Sequence, residues 1–231
     1  MKGPDPFPLD PPCDLQMPGH ERGEAQGMAI PMHRRPVVLV GLMGAGKTTV
    51  GQRVATRLGL AFVDSDHEIE CAAKRSISDL FELYGEQEFR DGERRVLARL
   101  IDATPKVIAT GGGAFMNQET RSLILERGLA VWLDADIEVL VERTSRRPGH
   151  RPLLRNADAH AVLADLARAR NPIYAQAHLH VRNEAAKHDA AVAHIVKSIR
   201  QLWRRAPSDI HSAHPGSRPI AAAANIHNLN E

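Results

Sequence analysis

The stretch Gly41-Leu42-Met43-Gly44-Ala45-Gly46-Lys47-Thr48 meets every fixed position of the Gly-x-x-x-x-Gly-Lys-Ser/Thr phosphate loop. Glycines open backbone conformations closed to residues with a Cβ, so successive N–H groups converge on phosphate oxygens at a helix N-terminus whose dipole favours negative charge. In that setting Lys47 reaches the β and γ phosphates and Thr48 offers its hydroxyl to Mg²⁺. Gly44, Ala45, Gly46, Lys47, Thr48 and Thr49 are therefore the expected nucleotide-binding residues.

Asp64-Ser65-Asp66 is the second cluster with chemistry in it. One carboxylate can hold Mg²⁺ and the other can accept a proton from an attacking hydroxyl. Capping of a helix that starts near Asp66 is the other account of Asp64 or Ser65, and capping and catalysis are compatible. Arg90 and Glu93, three residues apart, can pair on one helix face, which by itself describes an ordinary salt bridge. Gly111-Gly112-Gly113 implies that something approaches the backbone closely, read here as a ligand. Arg146-Arg147-Pro148-Gly149-His150-Arg151 is basic and contains helix breakers, the make-up of a mobile loop able to close over phosphates and exclude water. Aromatic residues are not interleaved with its arginines and no nucleic-acid module lies beside it, so a nucleic-acid partner is not expected.

These residues need a frame, and the chain supplies one. Val37-Val38-Leu39-Val40 reads as a buried parallel strand leading into the loop, and Thr48 to Leu58 as the helix behind it, with Val50, Val54 and Leu58 on one face and Gly59 as the stop. Further strands are expected at residues 60–63, ending in Asp64, at 106–110, running into the triple glycine, at 129–133 and at 178–181. Between them helices are expected from about Asp66, from Leu80 to Tyr84 after a Ser76-x-x-Asp79 capping box, and from Glu86 to Ile101, the last two separated at Gly85. The remaining helices are expected at 118–127 with Asn117 as cap, 137–146, 158–170 and 189–203. Five alternations of strand and helix predict an α/β chain: a phosphate-loop type parallel five-stranded sheet with helices on both faces. Because such sheets bind ligands beyond the carboxyl ends of their strands, the phosphate loop, the aspartates and the triple glycine should face one crevice.

Composition sets the outer limits. A chain of 231 residues, 43% hydrophobic and 25% charged, is globular in make-up and long enough for one domain with tails. Its net charge of +2 gives no reason to expect an anionic partner surface. Residues 1–34 and 205–231 are rich in Pro, Gly, Ser or His without apolar periodicity, and are expected to be disordered extensions flanking a domain at 35–204. Cys13 and Cys71 are far apart with no Cys-x-x-Cys pattern, and neither a signal peptide nor a membrane span is recognisable, which predicts a cytoplasmic protein with no membrane partner. The 12 histidines are scattered without metal-ligand spacing and are expected to be surface residues.

In order along the chain, Gly41 to Thr48, Asp64-Ser65-Asp66, Phe89-Arg90 with Glu93, Gly111-Gly112-Gly113, Arg151-Pro152-Leu153-Leu154 and Arg170-Asn171-Pro172-Ile173-Tyr174 resemble the motifs of the shikimate kinase family, with Ile173 where the family has Leu. The resemblance spans roughly residues 35–203. It implies a nucleoside-monophosphate-kinase-like fold with a mobile lid at about 146–157, and ATP-dependent phosphorylation of the 3-hydroxyl of shikimate on the way to chorismate and the aromatic amino acids. It implies Mg²⁺ as cofactor, held by Thr48 and Asp64, and ATP and shikimate as partners of a monomer. Shikimate would be bound by Asp66, Arg90, Gly111, Gly112, Gly113 and Arg170, with Arg170 on its carboxylate and Glu93 orienting Arg90. Lys47, Asp66 and Arg151 would be catalytic, Arg151 descending on the phosphates and Arg146 or Arg147 lying near the adenine. A kinase for another polyol acid, such as gluconate, would share the phosphate loop, and the substrate arginines and the triple glycine argue against it. A module that binds ATP without turnover would need neither Asp66 nor Arg151.

Overall fold

A computed structural model describes residues 31–146, 158–183 and 188–205. Its centre is a parallel sheet of β1 (Val37–Val40), β2 (Ala61–Asp64), β3 (Lys106–Ala109), β4 (Leu129–Asp134) and β5 (Leu179–Arg182), in the order β2-β3-β1-β4-β5. All four residues of β1 are fully buried, and it pairs with β3 on one side (Val38 opposite Ile108) and β4 on the other (Val38 opposite Ala130). Successive strand side chains point to opposite faces, so a strand buried at every position is covered on both. The edge strands differ. In β5 only Val181 is buried, while His180 and Arg182 face solvent.

Seven α-helices flank the sheet among the described residues: α1 (Lys47–Leu58), α2 (Ser65–Ala73), α3 (Ile77–Leu100), α4 (Gln118–Arg127), α5 (Ile137–Ser145), α6 (Ala159–Tyr174) and α7 (His188–Arg205). Helix α1 lies so close to the sheet that a Cβ on Gly51 would come within 2.6 Å of the Phe62 ring. Helix α7 packs along α1, joined by Asp189 to Arg53 and Arg57 at 3.4 Å. A short 3-10 turn at Met32–Arg34 also leans on α7, with Met32 against the core.

The expected capping box is present, Ser76 Oγ accepting from Asp79 N–H at 3.1 Å and Asp79 from Ser76 N–H at 3.3 Å. The break at Gly85 is present too, at φ 77° and ψ 175°, but no loop follows it, and the two expected helices run on as one kinked element. Helix α6 departs further from expectation. Instead of ending at Arg170 it continues through Pro172 to Tyr174. Proline there removes one bond to the carbonyl of Arg168, a residue whose side chain is exposed, and the apolar burial of Tyr174 outweighs that loss. Continuation matters because residues four apart share a helix face.

Candidate active site

The strand ends and helix starts meet in one crevice of about 660 Å³, lined by the phosphate loop, Asp64, Asp66, Arg90, Glu93, residues 110–113 and Arg170. On its nucleotide side the loop leaves β1 at Gly41, whose φ is 138° and where a Cβ would stand 2.3 Å from the Leu133 carbonyl, so only glycine passes beside β4 here. Gly46 then caps α1 with φ at 91°. Lys47 Nζ donates to the carbonyls of Gly41 and Leu42 at 2.8 and 2.9 Å, which keeps it over the loop. Asp64 divides its two oxygens. Oδ1 accepts from Asp66 N–H at 3.1 Å and caps α2, while Oδ2 accepts from the Thr48 hydroxyl at 2.8 Å. Capping and proximity to the phosphate loop are therefore both realised in one side chain.

The triple glycine adjoins that loop, where a Cβ on Gly112 would lie 3.3 Å from Met43 N, and its outer two members are explained by side chains packed against them. A Cβ on Gly111 would lie 2.7 Å from Asp66 Oδ1 and 2.8 Å from Glu93 Oε1, and one on Gly113 would lie 2.3 Å from the Arg90 guanidinium. The close approach expected at these glycines is thus made by the protein's own polar groups. Arg90 donates to Glu93 Oε2 at 2.8 Å, lies 3.5 Å from Glu86 Oε1, and its guanidinium rests over the stacked rings of Phe81 and Phe89. From the far wall, Arg170 Nη1 donates to the Gly112 carbonyl at 3.1 Å and the Tyr174 hydroxyl donates to the same oxygen. The extension of α6 past Pro172 brings both to that one acceptor. Tyr174 is fully buried between Phe115 and Trp132, which anchors the helix that carries Arg170.

Electrostatics set the acceptor side apart. Burial, then the neighbouring carboxylates Asp64 and Glu93, push the Asp66 carboxyl up to about 7, against a smaller opposing pull from Lys47. Burial also raises Glu93, opposed by its partner Arg90. Among the described residues Glu93 Oε1 has no hydrogen-bond partner. A carboxyl poised near neutrality in a crevice that Arg90 and Arg170 also line can exchange a proton with a hydroxyl while the arginines hold an anion.

Of the two candidates beside the lid, Arg146 is largely exposed and pairs with Glu142 on its own helix turn. Arg143, which the sequence reading passed over, turns toward the loop instead, its Nη1 lying 3.4 Å from the Gly44 carbonyl. Arg147 and Arg151 lie outside the described residues, as does most of the expected lid. Two more residues were not anticipated. Asn183, directly after β5, is fully buried against the phosphate loop, and His188 lines the crevice beside it. A signal did exist: Asn183 stands at the carboxyl end of a strand, as Asp64 does. His178 is exposed, yet it is not idle. Its Nδ1 accepts from Ala130 N–H at 3.0 Å, and burial lowers its pKa. No group of three or more metal-ligating side chains occurs among the described residues.

A family model described as shikimate kinase matches residues 43–200. The shikimate kinase of Caulobacter vibrioides strain NA1000 / CB15N is 54% identical over 171 residues, covering 74% of this chain and 85% of the relative. That of Brucella canis is 52% identical over 163 residues, covering 71% and 81%. Among solved structures, shikimate kinase from Acinetobacter baumannii in complex with shikimate is similar at TM-score 0.69 and 38% identity, covering 72% of this chain and 93% of that one. Shikimate kinase from Aquifex aeolicus is similar at TM-score 0.61 and 32% identity, covering 71% and 96%.

Proposed function

The chain belongs to the shikimate kinase family, and we propose that its crevice transfers the terminal phosphoryl group of ATP to the 3-hydroxyl of shikimate. The observation that carries this is the convergence of Asp66, Arg90 and Arg170 on the triple glycine, beside the phosphate loop in one crevice. Arg90 and Arg170 suit a compact carboxylate, because a guanidinium fork matches it with two parallel hydrogen bonds. Asp66 takes the proton of the attacking hydroxyl, whose oxygen bonds to the γ phosphorus as the bond to the bridging oxygen breaks and ADP leaves. A carboxyl near 7 accepts that proton more readily than an ordinary one and is still half ionised at neutral pH.

Lys47 neutralises phosphate charge, and the family resemblance gives Arg151, which lies outside the described residues, the same role. Arg143 is better placed than Arg146 to reach the nucleotide, since it already contacts the loop. Thr48 Oγ1 and Asp64 Oδ2, a hydroxyl and a carboxylate 2.8 Å apart beside the loop, are hard oxygen donors that fit Mg²⁺ and would hold it. When bound, that ion supplies charge neutralisation on the phosphates. One chain supplies both sides of the crevice, which supports action as a monomer. No helix among the described residues is long and apolar enough to cross a membrane, and the sparse cysteines suit a cytoplasmic setting.

The test is ADP release with ATP, Mg²⁺ and a panel of shikimate, quinate and gluconate. Release with shikimate well above the other two is expected. Equal release with gluconate, or none with any of the three, would overturn the assignment.

A further inference from the structure

The phosphate loop is held from behind by a side chain that its own motif does not contain. Asn183 is fully buried at the end of β5, where its backbone N–H donates to the Asp134 carbonyl at 2.7 Å. Its side-chain Nδ2 donates to the Ala45 carbonyl at 2.6 Å, and its Oδ1 lies 3.1 Å from His188 Nδ1. These contacts fix the chemistry of the pair. A carbonyl can only accept, so the amide turns Nδ2 toward Ala45, and Oδ1 must then accept from His188, whose proton sits on Nδ1. Burial, Arg143 and Arg53 hold His188 below its ordinary pKa, which suits a neutral ring in that tautomer.

The carbonyl that Asn183 holds has a direct bearing on phosphate binding. In a trans peptide the C=O and N–H point opposite ways, so drawing the Ala45 oxygen back toward β5 turns the N–H of Gly46 the other way. Phosphate binding depends on the direction of such N–H groups. That peptide turns about ψ of Ala45 and φ of Gly46, and Gly46, at φ 91°, imposes little resistance on its side. Packing adds to the clasp, since a Cβ on Gly46 would lie 2.9 Å from Asn183 Nδ2 and 3.3 Å from the His188 ring.

We propose that Asn183, braced by His188, is a positioning residue for the nucleotide: it fixes the Ala45–Gly46 peptide in the orientation that presents the Gly46 N–H to phosphate. The proposal rests on the nucleotide-binding half of the reading above and not on the identity of the phosphoryl acceptor. Asn183 is not among the residues that line the crevice, so its removal acts through the loop, on ATP alone.

The test compares Asn183→Leu, which keeps the volume without a donor, Asn183→Asp, which keeps the shape but sets an acceptor against the Ala45 carbonyl, and Asn183→Thr, which retains a hydroxyl donor. ADP affinity is read by titration calorimetry in the full chain, together with KM for ATP and for shikimate. In the Leu and Asp variants ADP affinity and KM for ATP should worsen about tenfold or more, as expected when the Ala45 carbonyl loses its short bond and keeps only the contact from Arg143 Nη1 at 3.5 Å, with KM for shikimate unchanged. The Thr variant should recover part of the loss. ADP affinity within twofold of the parent in a cooperatively folding Leu or Asp variant would overturn the proposal, and so would an equal loss for both substrates. Because ADP binding is read without turnover, failure of the parent to phosphorylate shikimate remains a separate result.

Discussion

At the scale of single residues, Asp66 concentrates the chemistry. Its carboxyl is raised to about 7 because burial disfavours charge and Asp64 and Glu93 add repulsion. Replacing it with Asn should lower kcat on the order of 10²- to 10⁴-fold, the contribution typical of a positioned base, while calorimetry finds ADP binding unchanged. Turnover at the parent rate would remove Asp66 as base. The same shift makes a statement about stability. The folded protein keeps a proton that the unfolded chain releases near 3.8, so stabilisation from this group is full below that value and is lost as pH rises through about 7. Thermal melts of the ligand-free protein should therefore show Asp66→Asn gaining over the parent as pH goes from 4 to 8, most of the gain being reached by the time pH has passed 7. A constant difference across that range would contradict the assigned cause.

At the scale of elements, the acceptor side is a contact between three segments that are distant in the chain. The kinked α3 brings Arg90 and Glu93, the turn after β3 brings residues 111–113, and α6 brings Arg170 with Tyr174. Gly113 is the point at which α3 and the β3 turn meet, and a methyl group there would occupy the place of the Arg90 guanidinium. Gly113→Ala should therefore raise KM for shikimate by about tenfold or more, the scale of one charge-assisted hydrogen bond. KM for ATP should stay the same, because the phosphate loop stands on different elements. Steady-state kinetics with each substrate varied in turn would decide it. An equal change in both constants would mean that the glycine supports the fold as a whole.

At the scale of the whole molecule, one parallel sheet carries both halves of the site. The core strand β1 delivers the phosphate loop, its neighbour β3 delivers the triple glycine, and β2 beyond it delivers the aspartates. Among the described residues the first packed element is the turn Met32–Arg34, against α7. Removing residues 1–30 should leave kcat, both KM values and the melting temperature within error of the full chain, because the described core makes its contacts without them. A fall in melting temperature of several degrees, measured by calorimetry or circular dichroism, would show that the segment contributes to the fold.

How much of this was legible beforehand follows from how far each signal reaches along the chain. The amino-acid sequence by itself determined the five strands, the phosphate loop, the capping box at Ser76, the break at Gly85 and the family resemblance, because apolar period, glycine and cap residues act within a few positions of themselves. Only the tertiary structure decided that α6 runs through Pro172, since burial of Tyr174 between Phe115 and Trp132 depends on partners far away in sequence. It likewise decided that Arg143 turns to the loop while Arg146 turns to Glu142, that the triple glycine makes room for Arg90, Asp66 and Glu93, and that Asn183 clasps Ala45. Each of these is a long-range contact, and local pattern carries no information about which distant side chain fills a given space. Spacing along a chain names the groups that can do chemistry; packing in three dimensions chooses which of them meet.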